Sequence, residues 1–187
     1  MSVVGVVLAG GAGRRMGGDK AVVEHEGRAL LLHVLDALAA VTPEQAVIAK
    51  RSTRLPELPT TVWTWIEPDE PLHPLAGILH ALRRAGGRSV LCCAADLPRL
   101  DAATLGRLLD AGDRHPGACV VPRVAGAVEP LCAIWHPRAS GPLHALDGEL
   151  RMRDAVEAVD AIEVAFDDPG PFVNVNSPGD LAALSRR

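Results

Sequence analysis

Apolar runs of strand length, Val3 to Leu8, Ala46 to Ala49, Val62 to Ile66, Val90 to Ala95 and Ala118 to Val121, alternate along this chain with longer stretches of helical period. Leu30, Leu31, Val34, Leu35 and Leu38 recur at the spacing of one helix face, as do Ile78, Leu79 and Leu82, and then Leu105, Leu108 and Leu109. The strand candidates are nearly all apolar rather than alternating, which suits strands covered by helices on both sides. The pattern predicts an α/β fold with a mainly parallel sheet between two helical layers. Beyond residue 128 the order is less regular. Glu129 to Trp135 reads as a strand, Pro142 to Val159 as one or two helices, Ile162 to Phe166 and Phe172 to Val175 as short strands, and Ser177 to Leu184 as a last helix. Ser177 supplies a capping hydroxyl, and Pro178 suits the first helical position.

No repeat, low-complexity tract or long linker interrupts the pattern, so residues 1–187 are read as a single domain. A hydrophobic content of 48% provides for a core, while a net charge of -4 argues against a nucleic-acid binder, which relies on clustered excess Lys and Arg. The apolar start is too short for a signal sequence and runs into glycines, Arg14-Arg15 precedes no apolar stretch, and no segment reaches bilayer-spanning length. The expectation is a soluble, cytoplasmic protein with no membrane partner. Cys92, Cys93, Cys119 and Cys132 lack the paired spacing of a zinc site and read as buried thiols on strands.

Candidate chemistry begins where the first strand ends. Leu8-Ala9-Gly10-Gly11-Ala12-Gly13-Arg14-Arg15-Met16-Gly17-Gly18-Asp19-Lys20 places five glycines and three cations just past a buried strand. Glycines let backbone N–H groups approach phosphate oxygens, and Arg and Lys neutralise phosphate charge. The dinucleotide pattern fails at Met16 and the P-loop pattern fails at Asp19. A second strand ends in Asp96-Leu97-Pro98, presenting one carboxylate at a strand terminus, a hard oxygen ligand suited to Mg²⁺. A turn or helix-cap role for Asp96 is the alternative. Prolines from Pro56 to Pro74 mark loops, and loops at the carboxyl ends of strands are where open α/β sheets bind ligands. Asn174 and Asn176 alternate on one short segment and share a face; they serve a ligand or tie the segment to its neighbours.

Leu8-Ala9-Gly10-Gly11, Arg15-Met16-Gly17 and Asp19-Lys20 resemble the signature loop of nucleotidyltransferases that activate sugars and cofactors, and most of all that of the molybdenum cofactor guanylyltransferases. Related cytidylyltransferases usually have alanine at the place of Gly10. The resemblance continues through a Pro74-Leu75-Ala76-Gly77 helix start, Asp96-Leu97-Pro98, Glu129-Pro130-Leu131 and Asn174-Val175-Asn176-Ser177-Pro178. It implies a three-layer, Rossmann-like nucleotidyltransferase fold. It also implies that Leu8, Ala9, Gly10, Gly11, Gly13 and Arg14 cradle a triphosphate, that Arg15 and Lys20 hold the phosphates through the transition state, and that Asp96 binds Mg²⁺. Asp69 matches the nucleotide-contacting aspartate, with Glu67 and Glu70 as alternatives because nothing in the sequence sets the loop length. His73 stands where the family often has glycine and reads as a loop residue.

Glu129 stands at a glutamine that lines the acceptor pocket, where an anion needs a cation such as Arg123 or Arg151. Asn174 and Asn176 fall on the acceptor or metal side. At Ala49-Lys50-Arg51 the family often has an asparagine that helps read the base. The implied reaction is transfer of GMP from GTP to the terminal phosphate of molybdopterin, with or without molybdenum, and molybdoenzymes or other cofactor-biosynthesis proteins are implied partners. Cytidylyl transfer to the same pterin, guanylyl transfer to another phosphorylated small molecule, and a non-catalytic nucleotide-binding delivery module are the rival readings.

Overall fold

The computed structural model describes residues 2–10, 20–146 and 151–184, with Lys20 as backbone alone. Gly11, Gly13, Arg14 and Arg15 lie outside the described residues.

The strands are β1 (Val3–Leu8), β2 (Glu24–His25), β3 (Arg28–Ala29), β4 (Gln45–Ala49), β5 (Val62–Ile66), β6 (Ser89–Ala94), β7 (Val120–Val124), β8 (Ala127–Val128), β9 (Cys132–Trp135) and β10 (Ile162–Phe166). The helices are α1 (Leu30–Ala39), α2 (Pro74–Arg84), α3 (Ala102–Arg114), α4 (Ser140–His144), α5 (Met152–Ala158) and α6 (Pro178–Leu184). The main sheet runs β10-β7-β9-β6-β1-β4-β5, with β8 hairpinned onto β7. β1 pairs in parallel with both β4 and β6, β4 with β5, and β7 with β10, while β9 runs antiparallel between β6 and β7.

The wholly apolar runs do what their pattern predicts, since every residue of β4 and of β6 is buried. One face of the sheet packs Leu31, Val34, Leu35 and Leu38 of α1 and Leu105 and Leu108 of α3 against Val7, Val47, Leu91 and Cys93. The other packs Leu75, Ile78 and Leu82 of α2, Leu143 of α4 and Val156 of α5 against Val4, Val6, Ile48 and Cys92. Gly5 is needed within β1 because a Cβ there would stand 2.6 Å from Thr42 Oγ1 and 3.2 Å from Leu38 Cβ. All four cysteines are buried free thiols, and burial pushes Cys92, Cys93 and Cys119 upward in pKa.

The C-terminal part departs from expectation in two places. The strand read from Glu129 begins only at Cys132, because Pro130 has no N–H to pair and Glu129 to Leu131 turn instead. Phe172 to Val175 forms no strand; a 3₁₀ turn at Gly170–Phe172 is followed by an extended segment that joins no sheet edge. Pro171 favours the turn, the edge beside β7 is already taken by β10, and Phe172 instead packs edge-on to Phe166 at 5.0 Å between ring centroids. α6 begins as expected, with Ser177 Oγ accepting from the Asp180 N–H at 3.2 Å.

The chain leaves β1 toward β4 and β5, then crosses back to place β6 on the other side of β1. This reversal opens a crevice over the carboxyl ends of β1 and β6, the position at which doubly wound sheets take ligands.

Candidate nucleotide-binding site

A cleft of about 190 Å³ lies at that reversal, lined by residues that include Leu8, Ala9, Gly10, Ala21, Lys50, Glu67, His73, Gly77 and Asp96. Strand register aligns these groups along one rim. Ala95 N–H donates to Leu8 O at 3.2 Å, Ala9 N–H to Ile48 O at 2.8 Å and Glu67 N–H to Ala49 O at 3.0 Å. Asp96, Gly10, Lys50 and Glu67 therefore follow the ends of neighbouring parallel strands and stand side by side. Asp96 is half-buried at this rim. Ala21, the residue after Lys20, lines the same cleft as Asp96.

Glu67 and Lys50 form the floor. Both side chains are buried, at 7% and 9% exposure, with Lys50 Nζ 3.6 Å from Glu67 Oε1. Lys50 Nζ also donates to Pro68 O at 2.7 Å. Burial raises the Glu67 pKa, and the charge and hydrogen bond of Lys50 oppose that rise. Two glycines make room for this carboxylate. A Cβ on Gly10 would lie 2.2 Å from Glu67 Oε1, and one on Gly77 would lie 3.3 Å from Oε2.

Asp69 is placed differently. It is exposed and borders an adjoining depression with Arg51, Ile66, Pro68, His80 and Arg83, which meets the cleft at Glu67. Of the three acidic candidates in this segment, Glu67 is the one that lines the cleft. A signal for it exists in the sequence, since Glu67 directly follows the apolar run of β5, just as a carboxylate follows closely on β6. His73 proves to be the N-cap of α2, its Nδ1 accepting from Leu75 N–H at 3.2 Å. Lys50 was missed as a structural partner because nothing local in the sequence links it to residue 67.

The acceptor-side candidates flank Asp96 on its other side. Ala94 N–H donates to Leu131 O at 2.7 Å, which sets the Glu129-Pro130-Leu131 turn beside the end of β6, and Leu131 lines the cleft. Val175 N–H donates to Asp96 O at 3.0 Å, and buried Val175 separates exposed Asn174 and Asn176. Burial raises the Glu129 pKa. Among the described residues no cation pairs with Glu129; Arg123 is committed to a two-pronged contact with Glu163 and to Gly126 O.

The arrangement can hold a polyanion whose base sits over Lys50 and Glu67, with an acceptor approaching past Asp96. Among the described residues no group of three or more His, Cys, Asp or Glu is gathered as a metal cage. No helix there is long and apolar enough to cross a membrane.

Known proteins are similar to this chain in sequence and in fold. A molybdenum cofactor guanylyltransferase of Cereibacter sphaeroides is 34% identical over 189 residues, covering 97% of this chain and 95% of that protein. One from Burkholderia vietnamiensis is 35% identical over 198 residues, covering 100% and 97%. Molybdopterin-guanine dinucleotide biosynthesis protein A from Archaeoglobus fulgidus has the same fold, with a TM-score of 0.78 at 24% identity over 98% of this chain and 100% of that one. Residues 5–162, which carry the whole strand-end rim from Leu8 to the Glu129 turn, match the MobA-like NTP transferase domain, and the chain belongs to that family.

Proposed function

We propose that this chain, acting as one domain, transfers GMP from GTP to the terminal phosphate of a molybdopterin-type acceptor in the cytoplasm and releases pyrophosphate. The observation that carries the reading is the single cleft that brings the Leu8-Ala9-Gly10 strand end, Glu67 and Asp96 together. The names of the relatives supply the acceptor and the guanine.

In this reading an acceptor phosphate oxygen attacks the α-phosphorus. The new phosphorus–oxygen bond forms as the bond to the β-phosphate oxygen breaks, and pyrophosphate departs with its electron pair. The acceptor needs no general base because its phosphate is already largely ionised near neutral pH. Backbone N–H groups after Leu8 hold the triphosphate, and Arg15 and Lys20 neutralise charge on the departing pyrophosphate. Glu67, rather than Asp69, takes the part of the nucleotide-contacting acid. Glu129, Asn174 and Asn176 border the acceptor.

A single carboxylate at a strand end, with no cage around it among the described residues, fits Mg²⁺, which completes its shell with water and substrate phosphates. Asp96 would hold the ion, which when bound would lower the charge on the phosphates. The test is pyrophosphate release from each of the four triphosphates with Mg²⁺ and the pterin. Turnover with GTP alone is the expected result, and equal turnover with all four, or none with GTP, overturns the guanylyl assignment.

A further inference from the structure

The transfer chemistry leaves one feature of the cleft without a task, the buried lysine beneath the carboxylate. Glu67 is clamped. Oε1 faces Lys50 and fills the space a side chain on Gly10 would take, and Oε2 lies over Gly77, so the carboxylate has little room to turn. An ionised carboxylate offers acceptors only. Guanine presents two adjacent N–H donors on its pairing edge, whereas adenine and cytosine place an unprotonated ring nitrogen beside the amine and would set a lone pair against the carboxylate. A buried acceptor left facing a lone pair is costly, and that cost is the basis of discrimination.

Burial alone would favour a protonated Glu67, whose O–H would blur this distinction by presenting a donor. Lys50 is the charged group in direct ion-pair contact with it. Arg51 beyond β4, Asp69 in the connection to α2, and His80 and Arg83 on α2 border the depression that Glu67 also touches, and His73 borders the cleft. Among these Arg83 is engaged with His80 Nδ1 at 2.8 Å.

We propose that Lys50 is a positioning residue that keeps Glu67 ionised and aimed at the bound base, so that the pair selects a base with adjacent N–H donors, a guanine, over adenine and cytosine. This inference rests on the cleft being the triphosphate site. The experiment is calorimetric titration of the intact chain with GTP, ITP, ATP and CTP in the presence of Mg²⁺, between pH 6 and about 9. Wild type is expected to bind GTP tightest, ITP more weakly for want of one donor, and ATP and CTP weakest. Its GTP affinity should fall as acid protonates Glu67.

Lys50→Met should lose at least about tenfold in GTP affinity at neutral pH and recover as the pH rises and Glu67 ionises. Lys50→Arg should keep most of the affinity. An unchanged Lys50→Met, or a loss of equal size at every pH, overturns the proposal, the second outcome marking a purely structural role. If Lys50→Met does not fold, Lys50→Met/Glu67→Gln leaves no buried charge at the pair and carries the same test. It should bind GTP and ATP within about threefold of each other, and a retained GTP preference overturns the proposal. Wild type that binds no triphosphate overturns the reading of the cleft as well, whereas wild type that prefers GTP beside an indifferent Lys50→Met overturns only the role of Lys50.

Discussion

The two sides of Asp96, proposed to hold the nucleotide and the acceptor, are built by different means. On the nucleotide side, β1, β4, β5 and β6 are all parallel, so their register puts Gly10, Lys50 and Glu67 in line, and the groups that touch there are buried. On the acceptor side, Glu129 sits in a turn before the antiparallel β9, and Asn174 and Asn176 lie on an extended segment outside the sheet, exposed. Parallel pairing collects strand ends at one rim, and a polar residue that follows such a strand is held by backbone hydrogen bonds on its neighbours. A residue on a turn or a free segment is held at fewer points and adapts more readily to what it binds.

Breaking the boundary between the sides should have the largest effect. Asp96→Asn should reduce turnover by at least about 100-fold, read as pyrophosphate release at saturating substrates, with the melting temperature close to that of wild type. Next comes the rigid side. Gly10→Ala puts a methyl where Glu67 Oε1 stands and should weaken GTP binding by roughly tenfold in calorimetry. On the adaptable side, Asn174→Ala and Asn176→Ala should each raise the acceptor KM by about fivefold while leaving the GTP dissociation constant unchanged.

The two sides should also differ in the sign of their pH response. The Glu129 pKa is raised by burial, so Glu129 protonates above the ordinary carboxylate range. Acid then removes its repulsion of a phosphorylated acceptor, and the acceptor KM should fall with pH while GTP affinity weakens. Glu129→Gln should abolish the first trend and spare the second. Smallest of all, Arg123→Met should leave the acceptor KM unchanged, because its guanidinium is already held by Glu163.

Legibility in the sequence follows the same division. β1, β5 and β10 run as their apolar stretches indicate, and the periodic α1 positions Leu31, Val34, Leu35 and Leu38 meet the sheet, whereas Leu30 packs with Val175 and Leu184. The strand-end position of Asp96 was legible because it follows an apolar run directly and Pro98, two residues on, stops the pairing. Glu67 was left undecided against Asp69 because the choice depends on the strand ending at Ile66 in register with Ala49, a long-range fact. The sequence marks Lys50 as a base-side position, but its pairing with Glu67 was hidden for the same reason, the partner lying a crossover away. Phe172 to Val175 read as a strand because it is a short, mostly apolar run, yet Phe172 and Val175 are buried in two different clusters with no β-partner between them. An apolar run reports burial; it does not report a hydrogen-bonded neighbour.

The bond from Val175 N–H to Asp96 O bears on the order in which the protein is made. A chain emerging from the ribosome releases β6 long before β9, the strand that closes its second side, and Val175, the residue that fastens the segment after Asp96, later still. Until β9 emerges, β6 has a bare apolar edge of the kind that invites mispairing. The aspartate is thus synthesised well before the segment that fastens its carbonyl, so a ribosome stalled before the Val175 codon would hold a nascent chain in which β6 is already flanked but the tie from the extended segment to Asp96 is missing.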